Sequence, residues 1–131
     1  MIKYLKKFKI GGYEDLQTPK EETITFNLMY KDLLVGTLEL EGGWWRFRYS
    51  AAFKNQDNLK PLPDFPNLEK VYNSEDLYPF FLHRIPSTKQ PKVRAVIKEK
   101  NVDETNKVAL LKLFGFRSIT NPFTLSPAYA G

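Results

Sequence analysis

Apolar and polar positions alternate with a period of two over three consecutive stretches, and this sets the first expectation for the fold. Ile24, Phe26, Leu28 and Tyr30 fall on one face of a strand while Thr25 and Asn27 fall on the other. Lys31-Asp32 suits a tight turn. Leu33 to Leu40 reads as a second strand, and Gly36 within it marks a bulge or the close approach of another backbone. Gly42-Gly43 accepts the positive φ values of a hairpin turn. Trp44 to Tyr49 is the third strand, with Trp45, Phe47 and Tyr49 on one face and Trp44, Arg46 and Arg48 on the other. Three strands joined by tight turns make an antiparallel meander.

The period then changes. Ala51 to Val71 carries Pro61, Pro63 and Pro66 among Asn, Asp and Lys, and reads as a loop with at most one short edge strand. Tyr72 to Ser87 is the stretch around which the rest is organised. Ser74 can cap a helix, Glu75 and Asp76 suit its positive end, and Leu77, Phe80, Phe81 and Ile85 recur at helical spacing until Pro86 stops the run. A helix is predicted from Ser74 to Arg84, with Pro79 awkward anywhere but its first turn. Pro91 opens a second helix striped by Val93, Val96 and Ile97; Asn101-Val102-Asp103 ends it and caps a third, whose apolar face is Val108, Leu110, Leu111 and Phe114. Gly115 is placed to close that helix in the left-handed conformation. Asn121 to Leu125 reads as a final strand, with fraying expected from Ser126 onward.

The fold class these patterns predict is α+β: a curled antiparallel sheet, meander plus C-terminal strand, packed against about three helices. The corresponding division is a basic extension and linker over 1–22, a domain over 23–127 and a tail over 128–131. In the extension Ile2, Tyr4, Phe8 and Ile10 alternate loosely, which suits an extra strand or a short helix before Gly11-Gly12.

Composition narrows the function. At 131 residues the chain can bury a core without metals or disulfides, and with zero cysteines it has no disulfide, thiolate site or cysteine nucleophile. No apolar run approaches the length that spans a bilayer, and the N-terminus lacks the apolar core of a secretion signal, so a soluble cytoplasmic protein with no membrane contact is expected. The net charge of +5 is concentrated, because Lys3, Lys6, Lys7 and Lys9 supply four charges in one short segment.

No enzyme is read here, and no catalytic, cofactor or metal residue is assigned. His83 is the single histidine, with no serine or cysteine arranged as its partner, and the carboxylates show no spacing for paired acid–base work or a cation loop. Neither glycine pair has the helix entry and lysine of a phosphate cradle. The third strand carries two sharper readings. Trp44 with Arg46 and Arg48, together with Lys3, Lys6, Lys7 and Lys9, could stack bases and meet phosphates of a nucleic acid. Tryptophan beside arginine is also the composition of protein interfaces. The plainer reading of the arginines is cross-strand pairing with Glu39 or Glu41.

The order of motifs resembles a known family. Tyr30-Lys31-Asp32-Leu33-Leu34-Val35-Gly36-Thr37-Leu38, then Phe47-Arg48-Tyr49, Leu62-Pro63, Pro79-Phe80-Phe81-Leu82 with Ile85-Pro86, Val108 through Gly115, and Phe123-Thr124-Leu125-Ser126-Pro127 are similar, in order and spacing, to the N-terminal subdomain of HipA-type serine/threonine kinases. Departures are Ile85 for leucine, Ser87-Thr88 for an acidic-glycine pair, and Arg117 to Pro122 for the family's Asp-x-x-Gly-Ala turn. The chain stops where the kinase body of a fused member would begin, so the resemblance implies a stand-alone, HipS-like subdomain. It further implies a bacterial toxin–antitoxin component that docks on and restrains a separately encoded HipA-type kinase, with a helix-turn-helix DNA-binding protein completing the complex. The residues this points to are Trp44, Phe81, Arg84, Ile85, Pro86, Phe123 and Leu125.

Overall fold

The structure is a computed structural model and describes residues 13 and 15–128. Its centre is a five-stranded, open antiparallel sheet: β1 (Ile24–Tyr30), β2 (Leu33–Glu41), β3 (Trp44–Tyr49), β4 (Tyr72–Ser74) and β5 (Thr124–Pro127), in the order β4-β3-β2-β1-β5. The meander forms where alternation predicts it. Lys31 takes φ 53° in the first turn, and Gly42 and Gly43 take φ 58° and 83° in the second. Gly36 serves both of the purposes open to it. The β1–β2 register shifts between Leu28 and Met29, opposite Gly36, and a Cβ at Gly36 would press into the Arg48 carbonyl and the Phe47 ring.

Four helices complete the domain: α1 (Ala51–Lys54), α2 (Pro79–Leu82), α3 (Pro91–Lys100) and α4 (Lys107–Phe114). One face of the sheet meets them across a core in which Phe26, Leu28, Val35, Leu38, Leu40, Trp45 and Phe47 are wholly buried, joined by Phe65, Phe81 and Ile85. Phe47 stacks on Phe65 with ring centroids 4.2 Å apart and lies 5.1 Å from Tyr49 and 5.8 Å from Phe81. Aromatic pairing of this kind adds to the transfer free energy of large apolar side chains.

The proline-rich segment between α1 and β4 is held at its middle by the Tyr49 hydroxyl and toward β4 by that of Tyr72, which accepts from the Asn67 amide at 2.8 Å. Tyr49 Oη donates to the Phe65 carbonyl at 2.6 Å and accepts from the Leu62 amide at 2.8 Å. Burial pushes the Tyr49 phenol up to about 12, and burial likewise pushes Tyr78 up to about 12. An unfolded tyrosine ionises near pH 10, so the stability contributed by these neutral phenols is complete below about pH 10 and is lost as pH rises through 12. Alkaline titration monitored by tyrosinate absorbance together with circular dichroism should show late-ionising tyrosines whose deprotonation coincides with unfolding. Ionisation of every tyrosine near pH 10 with the fold intact would contradict this.

Several expectations are corrected. The helix predicted from Ser74 to Arg84 is only Pro79–Leu82, with Tyr78 in extended backbone before it. Pro79 fixes the first helical position, so the turn cannot start earlier. Ser74 belongs instead to the edge strand β4 and its Oγ accepts from the Asp76 amide in a local turn. Ala51 to Val71 is not wholly irregular: Ser50 Oγ accepts from the Phe53 amide at 3.0 Å and caps α1. The residue capping α4 is Asn106, whose Oδ1 accepts from Ala109, while Asp103 turns the chain locally through Thr105. Gly115 is not left-handed, with φ −82°; a Cβ there would collide with the Leu111 carbonyl, so crowding rather than φ selects glycine. Ser126 and Pro127 lie in β5, and Ala128 donates to the Thr25 carbonyl at 2.8 Å, so order extends past the point where fraying was expected.

The expected strand or helix of the N-terminal extension, and Lys3, Lys6, Lys7 and Lys9 with it, lie outside the described residues. The part nearer the domain is tied down. Leu16 is buried, Gln17 bridges to Asn106, and Tyr13 Oη donates to the Ile85 carbonyl at 2.9 Å.

Candidate functional site

The hairpin end of β2–β3 carries the exposed tryptophan. Trp44 follows the Gly42-Gly43 turn and keeps 47% of its surface in solvent, while Trp45 beside it points into the core with no exposure. Alternation along the strand makes that division. Trp44 borders an open cleft of about 430 Å³ lined by Thr18, Lys20, Glu75, Asp76 and Lys107. Thr18 Oγ1 is the fixed point of its floor: it accepts from Trp45 Nε1 at 3.1 Å and from Lys107 Nζ at 3.4 Å. Burial lowers the Lys107 ammonium below the ordinary lysine range, and the Asp76 carboxylate partly opposes the shift. An aromatic wall with both signs of charge suits a polar segment of a protein partner that brings an apolar group to the indole.

On the same strand face, Arg46 and Arg48 converge on one carboxylate. Arg46 Nη1 lies 3.5 Å and Arg48 Nη2 3.9 Å from Glu39 Oε1, and Arg46 Nε donates to Asn73 Oδ1 at 3.1 Å. The cross-strand pairing considered for these arginines is therefore present. Both are substantially exposed, so the pairs add little stability.

The opposite end of the sheet is organised by Arg84. Only 4% of this residue is exposed, and no carboxylate pairs with it among the described residues. Its guanidinium is satisfied by carbonyls. Nη1 donates to Gly115 at 2.9 Å and Phe116 at 3.3 Å; Nη2 donates to Phe123 at 2.9 Å and to Asn121 Oδ1 at 3.1 Å. Nε has no partner, and the group stands 5.7 Å from the Phe80 ring centre. Burial pulls its pKa down to about 10, which leaves it cationic at neutral pH. One fork thus clamps both ends of the loop from Gly115 to Phe123, a geometry that a guanidinium offers and an ammonium does not.

The residues the sequence singles out as partner contacts separate by burial. Trp44 is exposed; Phe81, Ile85 and Leu125 are core; Arg84 is the buried clamp; Pro86 and Phe123 are half-buried. Phe123 packs between Tyr30 and Phe80, with ring centroids 5.7 and 6.0 Å away. Trp44 and the Arg84 loop sit at opposite ends of the sheet, because Glu41 pairs with Trp44 at one end while Tyr30 pairs with Leu33 and Met29 with Thr124 toward the other. His83 is exposed and its ring lies 6.2 Å from that of Tyr13. Among the described residues no cluster of His, Asp and Glu could hold a metal ion, and no helix is long and apolar enough to cross a membrane.

Sequence reasoning passed over Phe116 and Ile119. Both are exposed on the clamped loop, Phe116 at 48% and Ile119 fully. No periodic pattern marks apolar residues in a loop; the available signal was an apolar pair between two turn-forming stretches, Gly115 and Thr120-Asn121-Pro122. In comparison with known protein families, residues 26–119 match the HipA N-terminal domain. No curated protein matches the chain.

Proposed function

The chain belongs to the HipA N-terminal domain family, and from this premise we propose that it is a non-catalytic binding module that docks on a separately encoded HipA-type serine/threonine kinase and restrains it. In this reading it is the antitoxin-like component of a cytoplasmic toxin–antitoxin system in a bacterium, and a helix-turn-helix DNA-binding protein joins the same complex. The family match covers an N-terminal domain and not a kinase catalytic domain. The observation that carries the reading is Trp44: in a chain whose other large aromatic side chains mostly fill the core, this indole is held half in solvent beside a preformed cleft. Such anchors dominate the energetics of protein interfaces.

The alternative reading, nucleic-acid binding through Arg46, Arg48 and the N-terminal lysines, is weakened because Glu39 and Asn73 already engage the two arginines. Salt separates the two readings. Phosphate contacts release counterions and weaken steeply as salt rises, whereas an apolar anchor does not.

The test is capture from the native cell extract at moderate salt, with bound proteins identified by mass spectrometry. A HipA-type kinase should be retained by the wild-type chain and reduced at least about tenfold by Trp44→Ala, as expected of an interface anchor. Phe81→Ala is a poor substitute, since Phe81 is wholly buried and its loss reports on stability. Retention of nucleic acid alone, disappearing with salt, would transfer the function to the basic surface.

A further inference from the structure

We propose that the loop from Phe116 to Asn121 is a second docking element, a preformed knob that seats Phe116 and Ile119 in an apolar pocket rimmed by carboxylates on the kinase partner. The inference rests on the reading of the chain as a kinase-docking module. It concerns a different surface from Trp44, at the other end of the sheet.

Three observations carry it. The loop presents apolar side chains where none is needed for folding: Ile119 has no buried surface to contribute, and Phe116 is half in solvent. Single exposed apolar residues are ordinary, but this one short loop carries two, and the Phe123 that follows it packs on Phe80. The loop is also held in shape. Arg84 clamps Gly115 and Phe116 at its start and Asn121 and Phe123 at its end, Leu125 donates to the Phe116 carbonyl at 3.0 Å, and the Ser118 and Thr120 hydroxyls bond at 2.9 Å. Shape fixed in advance lowers the ordering cost of binding.

Charge selects the occupant. Arg117 lies over the Phe116 ring, 5.1 Å from its centre, and has no carboxylate partner among the described residues. No Asp or Glu follows Glu104 in the sequence, while Lys112, in the last turn of α4, and Arg117 do. A second copy packed face to face would oppose these cations to themselves. Residues 1–12 fit no better, since they carry four lysines and no carboxylate. A partner pocket with an acidic rim satisfies both the apolar pair and the arginine.

The experiment uses the full chain and the HipA-type kinase recovered in the capture above, purified and titrated by calorimetry. Ile119→Asp and Arg117→Glu should each weaken binding by about thirtyfold, the loss typical of a central anchor. Both should leave the melting temperature within about 2 °C, because exposed substitutions barely alter stability. Lys98→Glu on the exposed face of α3 should bind normally and serves as the charge control. Binding of both loop variants within threefold of wild type overturns the inference while leaving kinase docking intact. A concentration-dependent dimer of the chain alone that Ile119→Asp dissolves also overturns it, in favour of a second copy. Failure of the wild-type chain to retain any such kinase removes the functional reading and this inference together.

Discussion

Arg84→Ala is expected to cost about 3 kcal/mol of folding stability, because it removes the side chain that, among the described residues, answers the carbonyls of Gly115 and Phe123. Each charge-assisted bond contributes roughly 1.5–3 kcal/mol, and the loss is tempered by water entering to the carbonyls near the surface. Arg84→Lys should recover less than half, since an ammonium cannot reach both ends of the loop in one plane. Urea unfolding of the three proteins measures this directly. A cost under about 1 kcal/mol for alanine would mean that the clamp is not what orders the loop. Hydrogen exchange gives a second readout: the amides of Phe123 and Leu125, which donate to Asn121 Oδ1 and to the Phe116 carbonyl, should lose protection first, ahead of those of β2 and β3.

Phe47→Ala should be more damaging still, by about 4 kcal/mol, the range for deleting a wholly buried aromatic ring from a packed core. The ring is the hub of the aromatic cluster, stacked on Phe65 and in contact range of Tyr49 and Phe81, so its removal unsupports the proline-rich segment, the sheet and α2 at once. It also fills the space denied to a side chain at Gly36. Phe47→Leu, which keeps most of the volume, should cost clearly less. The urea midpoints of the two variants give the comparison, and near-equal losses would show that volume is not the governing term.

These two positions illustrate what was readable from sequence alone. Phe47 stands in a strand whose alternation assigns each side chain to a face, so its burial follows from its parity. The same logic placed Trp44 outward, while Gly36, as a glycine inside a strand, pointed to a bulge or to a close backbone approach. Arg84 could be noticed as part of an organising stretch, but nothing in its neighbours says that its partners are carbonyls some thirty residues on. The overlong helix from Ser74 has a local cause: a serine followed by two acidic residues has the composition of a helix start and equally of a turn leaving an edge strand. Pro79 decides between them. Phe81 and Ile85 were ambiguous between core and contact because helical spacing says which residues share a face and not what covers it. Phe116 and Ile119 escaped notice because a loop has no period to interrupt.

The sheet order also bears on when the protein can work. β1, β2 and β3 are neighbours in sequence and can pair as soon as they are synthesised, but β5 pairs with β1 across almost the whole described chain, Leu28 facing Leu125. Closing so long a loop is the slow part of assembling such a topology. The last strand directly follows the loop that Arg84 clamps, and Leu125 within it donates to the Phe116 carbonyl, so that loop acquires its shape only once the final strand is in place. Trp44, by contrast, emerges with the early meander. A nascent or truncated chain would show its indole long before it could offer the other end of its sheet, and the full grip on a partner would be reserved for chains that have finished folding.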